Sequence, residues 1–131
     1  MADKKKVLVV EDEQALRKAL VNSLKEAGFE VVEASDGKLG LEKAFKEHPD
    51  LMLLDLIMPK MEGKDVVAKL HEDSWGKSVP IIFLTNISDP IKVAEINDIS
   101  SSNSTLFDYL IKSDWRLEEI VGKVKEKLGM E

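Results

Sequence analysis

Short runs of aliphatic residues alternate along the chain with longer segments whose apolar residues recur every three or four positions. Five runs predict β-strands, at residues 7–10, 29–32, 51–54, 80–84 and 107–111. The runs at 7–10 and 51–54 contain no polar residue, which is typical of strands that are buried on both faces of a parallel sheet. The pattern therefore favours a sheet that is covered by helices on both sides.

Helical periodicity follows each run. Apolar residues from Ala15 to Ala27 predict a first helix that ends before Gly28, and residues 38–47 predict a second that ends before Pro49. A third helix includes residues 66–70. A fourth begins at Asp89, a plausible N-cap residue, followed by Pro90 at the first helical position, where proline is tolerated. A fifth covers residues 117–128, and the polar tract at 100–105 is a loop. Such regular alternation predicts an α/β fold.

Composition limits the possible classes of protein. The chain has 131 residues, enough for one domain with its own core, and its 25 acidic and 19 basic residues give a net charge of −6. This charge argues against direct binding of nucleic acid, and no apolar run is long enough for membrane insertion. The absence of cysteine excludes disulfides and thiolate chemistry and fits a reducing compartment. Together with the lack of a membrane span or signal segment, it leads us to expect a cytoplasmic location.

Polar residues stand at the carboxyl ends of four predicted strands, where ligands bind in open parallel sheets. Glu11 and Asp12 follow the first strand, Asp55 follows the third, Thr85 follows the fourth and Lys112 follows the fifth. Each residue alone is more simply a helix cap, a turn former or a solvated side chain. We base the prediction on their joint arrangement.

Three carboxylates at one edge of a sheet repel one another unless a cation joins them. Oxygen ligands in small number suit Mg²⁺. A carboxylate beside Mg²⁺ can attack a phosphoryl group while the metal and a lysine neutralise charge on the transferred oxygens. The sequence therefore predicts a phosphoryl-acceptor site at this edge of the sheet.

The segment at residues 48–63, HPDLMLLDLIMPKMEG, resembles the phosphorylation-site segment of two-component response regulator receiver domains. The similarity extends to residues 9–13, to Leu84 and Thr85, and to residues 109–112, so it covers essentially the whole chain. The resemblance implies a flavodoxin-like, doubly wound sheet of five parallel strands in the order 2-1-3-4-5, with five helices.

The resemblance also implies a role for each site residue. Asp55 is phosphorylated by a sensor histidine kinase or a phosphotransfer protein. Asp12 binds Mg²⁺ directly, Glu11 acts through water, and the backbone carbonyl of Ile57 is a further ligand. Lys112 contacts the phosphoryl oxygens.

Two residues are implied to switch. Thr85 turns its hydroxyl toward the phosphoryl group, and Tyr109 changes rotamer with it. A downstream protein target would then bind the face formed by the fourth helix, the fifth strand and the fifth helix. New hydrogen bonds to a charged group contribute about 1.5–3 kcal/mol each, which is the order of energy that a two-state switch needs.

On this interpretation residues 1–131 form a single receiver domain without an output domain. The domain is a signalling module that carries out its own phosphorylation from a donor and its own dephosphorylation, and it is otherwise not an enzyme.

Two alternatives remain open. A small Mg²⁺-dependent phosphatase would use Asp55 as nucleophile, although Ile57 stands where its second aspartate would be. An interaction module that is never phosphorylated would keep the fold alone.

Two of the departures from the family pattern concern the loop after Lys112 and the partner-binding face. Ser113 follows Lys112, where the family usually has a proline with a cis peptide bond, and a non-proline cis bond costs about 2.5–4 kcal/mol. We therefore predict a trans bond there. Extra residues near the tract at 100–105 fall on the face through which receivers signal, so the departure from the family affects the expected partner surface.

Overall fold

The structure, a computed structural model, describes residues 4–55, 61–85, 107–111 and 116–129. Its elements are, in chain order, β1 (Lys6–Val10), α1 (Gln14–Glu26), β2 (Glu30–Ala34), α2 (Gly37–Glu47), β3 (Leu51–Asp55), α3 (Gly63–Leu70), β4 (Ile81–Thr85), β5 (Phe107–Ile111) and α4 (Leu117–Lys127). The helix predicted to begin at Asp89 and the tract at 100–105 lie outside the described residues. The helix α4 is thus the fifth helix of the sequence prediction.

The five strands form one parallel sheet in the order β2-β1-β3-β4-β5, which confirms the predicted flavodoxin-like topology. Strand order reverses between β1 and β3, because the chain moves outward to β2 before it returns to β3 on the other side of β1. Val10 of β1 lies beside Leu54 of β3 in the register of this central pair. The carboxyl ends of both strands therefore meet at the topological switch point.

Alternate residues of each central strand enter two separate apolar layers, as expected for a sheet covered on both faces. One layer joins Leu8 and Leu54 to helices α2 and α3, and the other joins Val9 and Leu53 to helices α1 and α4. All five residues of β3 are buried. Burial on both faces fixes the direction and register of β3, and so fixes the position of Asp55 at its end.

The second strand begins and ends later than the sequence pattern predicts, at Glu30–Ala34 instead of residues 29–32. Phe29 belongs to the turn that ends α1, because its backbone N–H donates to the carbonyl of Leu24 at 3.1 Å. Gly28 permits this turn with a φ of 99°. The Phe29 side chain is buried, so the apolar pattern included it although its backbone is outside the strand.

Helix α2 packs closely against β1 through a glycine. A Cβ built on Gly40 would lie 2.8 Å from both methyl carbons of Val10, the residue that precedes Glu11. In contrast, none of the described atoms lies within 4 Å of a Cβ built on Gly122 in α4. Both glycines lie in helices, but a side chain would clash with Val10 at Gly40 and, among the described residues, would have open space at Gly122.

These surroundings predict opposite effects of alanine. Gly40→Ala should lower the free energy of unfolding by about 1–2 kcal/mol, because overpacking outweighs the gain of about 1 kcal/mol in helix propensity. Gly122→Ala should raise it by about 0.5–1 kcal/mol. Urea denaturation of both variants checks the prediction, and a stabilised Gly40→Ala protein would contradict the close packing of α2 on β1.

Within the part of the chain that the structure describes, no helix has the length and apolar character needed to cross a membrane.

Candidate metal site at the edge of the sheet

Three carboxylates lie together where β1 and β3 end. Asp55 is the last residue of β3, and Glu11 and Asp12 directly follow β1. One oxygen atom from each of the three carboxylates lies within 4.8 Å of the others. The structure thus brings together the three acidic residues that the sequence predicts as a metal site.

The backbone and side chain of Glu11 are held by several hydrogen bonds. Its N–H donates to the carbonyl of Ala34 in β2 at 3.1 Å, which extends the pairing of β1 with β2 by one residue. Its Oε2 accepts the N–H of Glu13, the N-cap of α1, at 3.0 Å. Its carbonyl oxygen accepts a hydrogen bond from Arg17 Nη1 at 2.9 Å. Glu11 is therefore fixed before any ligand binds.

Burial differs among the three carboxylates. Glu11 is 0% exposed and Asp55 is 3% exposed, whereas Asp12 is exposed. Two unit charges within 4.8 Å of each other repel by at least about 3 kcal/mol at an effective dielectric constant of about 20. A divalent cation would reverse the sign of this interaction, and a set of oxygen donors alone suits a hard cation such as Mg²⁺. The residues present therefore fit Mg²⁺.

The other predicted site residues are described only in part. Thr85 is the last residue of β4, next to Leu84, whose register partner is Asp55, so its backbone reaches the same edge of the sheet. Thr85 pairs with Ile111 of β5, and Tyr109 pairs with Phe83 farther from the edge. Lys112, Ile57 and Ser113 lie outside the described residues, and their predicted roles stay predictions.

The two histidines, His48 and His71, lie at helix ends and not at this edge of the sheet. His48 ends α2 with a φ of 46°, just before the start of β3, and its ring stacks on Trp75 with centroids 4.2 Å apart. His71 ends α3, and burial together with the nearby charge of Lys77 lowers its pKa. Trp75 is partly buried and packs against the apolar layer between the sheet and helices α2 and α3.

Arg17, which contacts Glu11, and Glu33, which contacts Arg17, were not predicted from the sequence. Arg17 Nε donates to Glu33 Oε1 at 3.0 Å while its Nη1 donates to the Glu11 carbonyl. A basic residue in the first turn of the helix that follows an acidic loop was the available signal for Arg17. No local pattern indicated Glu33, because its contact with Arg17 depends on how β2 pairs with β1.

Fold and site together define a flavodoxin-like domain with an acidic site at its switch point. The Response regulator receiver domain model matches residues 7–124, so the chain belongs to that family. Receiver domains are signalling modules of two-component systems, which confirms the class of function predicted from the sequence.

Several known proteins are similar to this chain. The "Probable transcriptional regulator ycf27" of Porphyridium aerugineum is 43% identical over 86 residues, which cover 66% of this chain and 35% of that protein. The transcriptional regulatory protein SrrA of Staphylococcus aureus is 36% identical over 122 residues, 93% of this chain and 47% of that protein. The chain thus spans a third to a half of these curated relatives.

A solved structure is similar over nearly its entire length. The chemotaxis protein CheY4 of Vibrio cholerae has 30% sequence identity and a TM-score of 0.83, with 95% of this chain and 98% of that chain covered. A CheY-like receiver domain of Methanospirillum hungatei has 25% identity and a TM-score of 0.84. These similarities support the receiver fold across β1 to α4.

Proposed function

We propose that this receiver accepts a phosphoryl group on Asp55 in the presence of Mg²⁺ and changes a partner-binding face in response. The observation that carries the proposal is the cluster of Glu11, Asp12 and Asp55, whose oxygens lie within 4.8 Å of one another at the β1 and β3 ends. Membership of the receiver family supports the same chemistry. Mg²⁺ supplies positive charge that allows the three carboxylates to coexist beside an anionic phosphoryl group.

The proposed reaction uses a carboxylate oxygen of Asp55 as the nucleophile. This oxygen forms a bond to phosphorus as the bond from phosphorus to the donor breaks, and the donor leaves with the electron pair. The product is an acyl phosphate on Asp55. Burial of Asp55 to 3% exposure limits the access of water to the product and so favours its persistence.

Five further residues complete the proposal. Asp12 would bind the metal directly, Glu11 would act through water, and the Ile57 carbonyl would be a further ligand. Lys112 donates to the phosphoryl oxygens, and Thr85 turns its hydroxyl toward them. The position of Thr85 at the end of β4, in register with Ile111, supports its role at this edge.

The proposed partners are a sensor histidine kinase or a phosphotransfer protein as donor, and a downstream protein as target. The target would bind the face that includes β5 and α4, with Tyr109 as the residue that reports phosphorylation. Two of the relatives are named as transcriptional regulators, and this chain matches about a third to a half of their length. A single domain at residues 1–131 and a cytoplasmic location remain proposals.

A stoichiometry experiment tests the proposed function. The protein is incubated with a small acyl phosphate and Mg²⁺, and both the phosphoryl groups per chain and the inorganic phosphate released are measured over time. We expect one phosphoryl group per chain, followed by slow release. Multiple turnovers of a phosphate ester would favour the phosphatase alternative, and absence of any uptake would favour an unphosphorylated interaction module.

A further inference from the structure

Arg17 connects the metal-binding loop to the edge strand of the sheet. Its guanidinium donates from Nη1 to the Glu11 carbonyl at 2.9 Å and from Nε to Glu33 Oε1 at 3.0 Å. The Arg17 side chain is 14% exposed and that of Glu33 is 40% exposed. One planar group therefore joins the loop after β1 to a side chain of β2.

Glu33 is itself held from the other face of the sheet. Lys43 of α2 donates from Nζ to the Glu33 carbonyl at 2.6 Å, while Arg17 approaches from α1. The next residue of β2, Ala34, accepts the N–H of Glu11 at 3.1 Å. The end of β2 thus contacts Glu11 directly through Ala34 and indirectly through Arg17.

We propose that Arg17 is a positioning residue, which uses Glu33 as its anchor to hold the loop of Glu11 and Asp12 in the conformation that binds Mg²⁺. The inference rests on the proposed function, because it concerns the Mg²⁺ that the proposed site would bind. Groups that orient metal ligands through hydrogen bonds typically change metal affinity by about 10–100-fold when they are removed. Arg17 acts through Glu11 and is not itself a ligand.

The sign of the effect separates positioning from simple electrostatics. A positive charge near a cation site repels the cation, so loss of the Arg17 charge alone would tighten Mg²⁺ binding. Loss of a positioning contact weakens it. Lys18 gives a matched control, because it is an exposed basic residue next to Arg17 in α1 and lies outside these contacts.

The experiment measures Mg²⁺ affinity of the unphosphorylated protein by calorimetry, beside urea denaturation as a check of folding. We expect Arg17→Gln to bind Mg²⁺ about tenfold more weakly, and Lys18→Gln to bind it as the unsubstituted protein does or slightly more tightly. Glu33→Gln should show a smaller loss, and the double variant should equal Arg17→Gln because the two residues act as one unit. Arg17→Lys keeps the charge without the planar fork and should restore the affinity only in part.

Each other result has a defined meaning. Equal or tighter Mg²⁺ binding by Arg17→Gln, or an equal loss in Lys18→Gln, overturns the positioning role. If Arg17→Gln does not fold, unchanged affinity of Glu33→Gln overturns it. If the unsubstituted protein takes up no phosphoryl group but Arg17→Gln still weakens Mg²⁺ binding, the proposed function is refuted and the positioning role of Arg17 is not. Absence of Mg²⁺ binding by the unsubstituted protein refutes both.

Discussion

Chelation of divalent cations is expected to slow phosphoryl uptake by this chain by at least about 100-fold. The attacking carboxylate of Asp55 lies with two others whose oxygens are within 4.8 Å. An anion that comes to about 5 Å from one neighbouring carboxylate would be repelled by about 3 kcal/mol at an effective dielectric constant of about 20. Since each 1.36 kcal/mol is a factor of about ten in rate, this repulsion alone corresponds to about 100-fold.

The rate is measured by intact mass against time, with a small acyl phosphate as donor. Mg²⁺ in excess of the chelator should restore the rate, whereas NaCl of equal ionic strength should not, because screening is weak for buried charges. An unchanged rate in the presence of chelator would show that the three carboxylates do not act through a metal.

The effect of Asp12→Asn on the free energy of unfolding is expected to change sign when Mg²⁺ is added. Without metal, the substitution removes one of three crowded charges and should raise the free energy of unfolding by about 1 kcal/mol. This is less than the repulsion of about 3 kcal/mol between two charges of the cluster, because Asp12 is exposed. With Mg²⁺ at 100 times its Kd, the unsubstituted protein gains about 2.7 kcal/mol. If the variant binds Mg²⁺ about 100-fold more weakly, it gains about 0.4 kcal/mol and becomes the less stable protein.

Urea denaturation with and without Mg²⁺ measures this reversal. Glu13→Gln is the matched control, because Glu13 is an exposed neighbour that lies outside the three-carboxylate cluster. We expect Glu13→Gln to gain as much from Mg²⁺ as the unsubstituted protein. Equal gains by Asp12→Asn would mean that Asp12 is not a ligand.

The sequence predicted the fold well because its strongest pattern is a physical consequence of burial. Residues 51–54 must be apolar to lie between two helical layers, and the structure places them at the centre of the sheet. Strand boundaries were less accurate where burial and backbone conformation disagree, as at Phe29, which is buried but lies in a turn. Apolar pattern reports burial of a side chain and not hydrogen bonding of its backbone.

The acidic part of the site was predictable because the carboxyl ends of parallel strands share one edge. That rule placed Glu11, Asp12 and Asp55 together without knowledge of any distance. The contacts of Arg17 with Glu33 and with the Glu11 carbonyl were not predictable, because they depend on the register of β1 with β2 and on the side-chain conformation of Arg17. Long-range geometry of this kind has no local sequence pattern.

The central claim is that Asp55 accepts the phosphoryl group, and one mass measurement tests it directly. The protein, Asp55→Asn and Asp50→Asn are incubated with a small acyl phosphate and Mg²⁺, and their intact masses are compared. Asp50 is a matched control because it is exposed at the opposite end of β3, and asparagine can still accept the N–H of Lys6 there. We predict one added phosphoryl group in the unsubstituted protein and in Asp50→Asn, and none in Asp55→Asn. A phosphoryl group on Asp55→Asn, or its absence from all three proteins, would contradict the account.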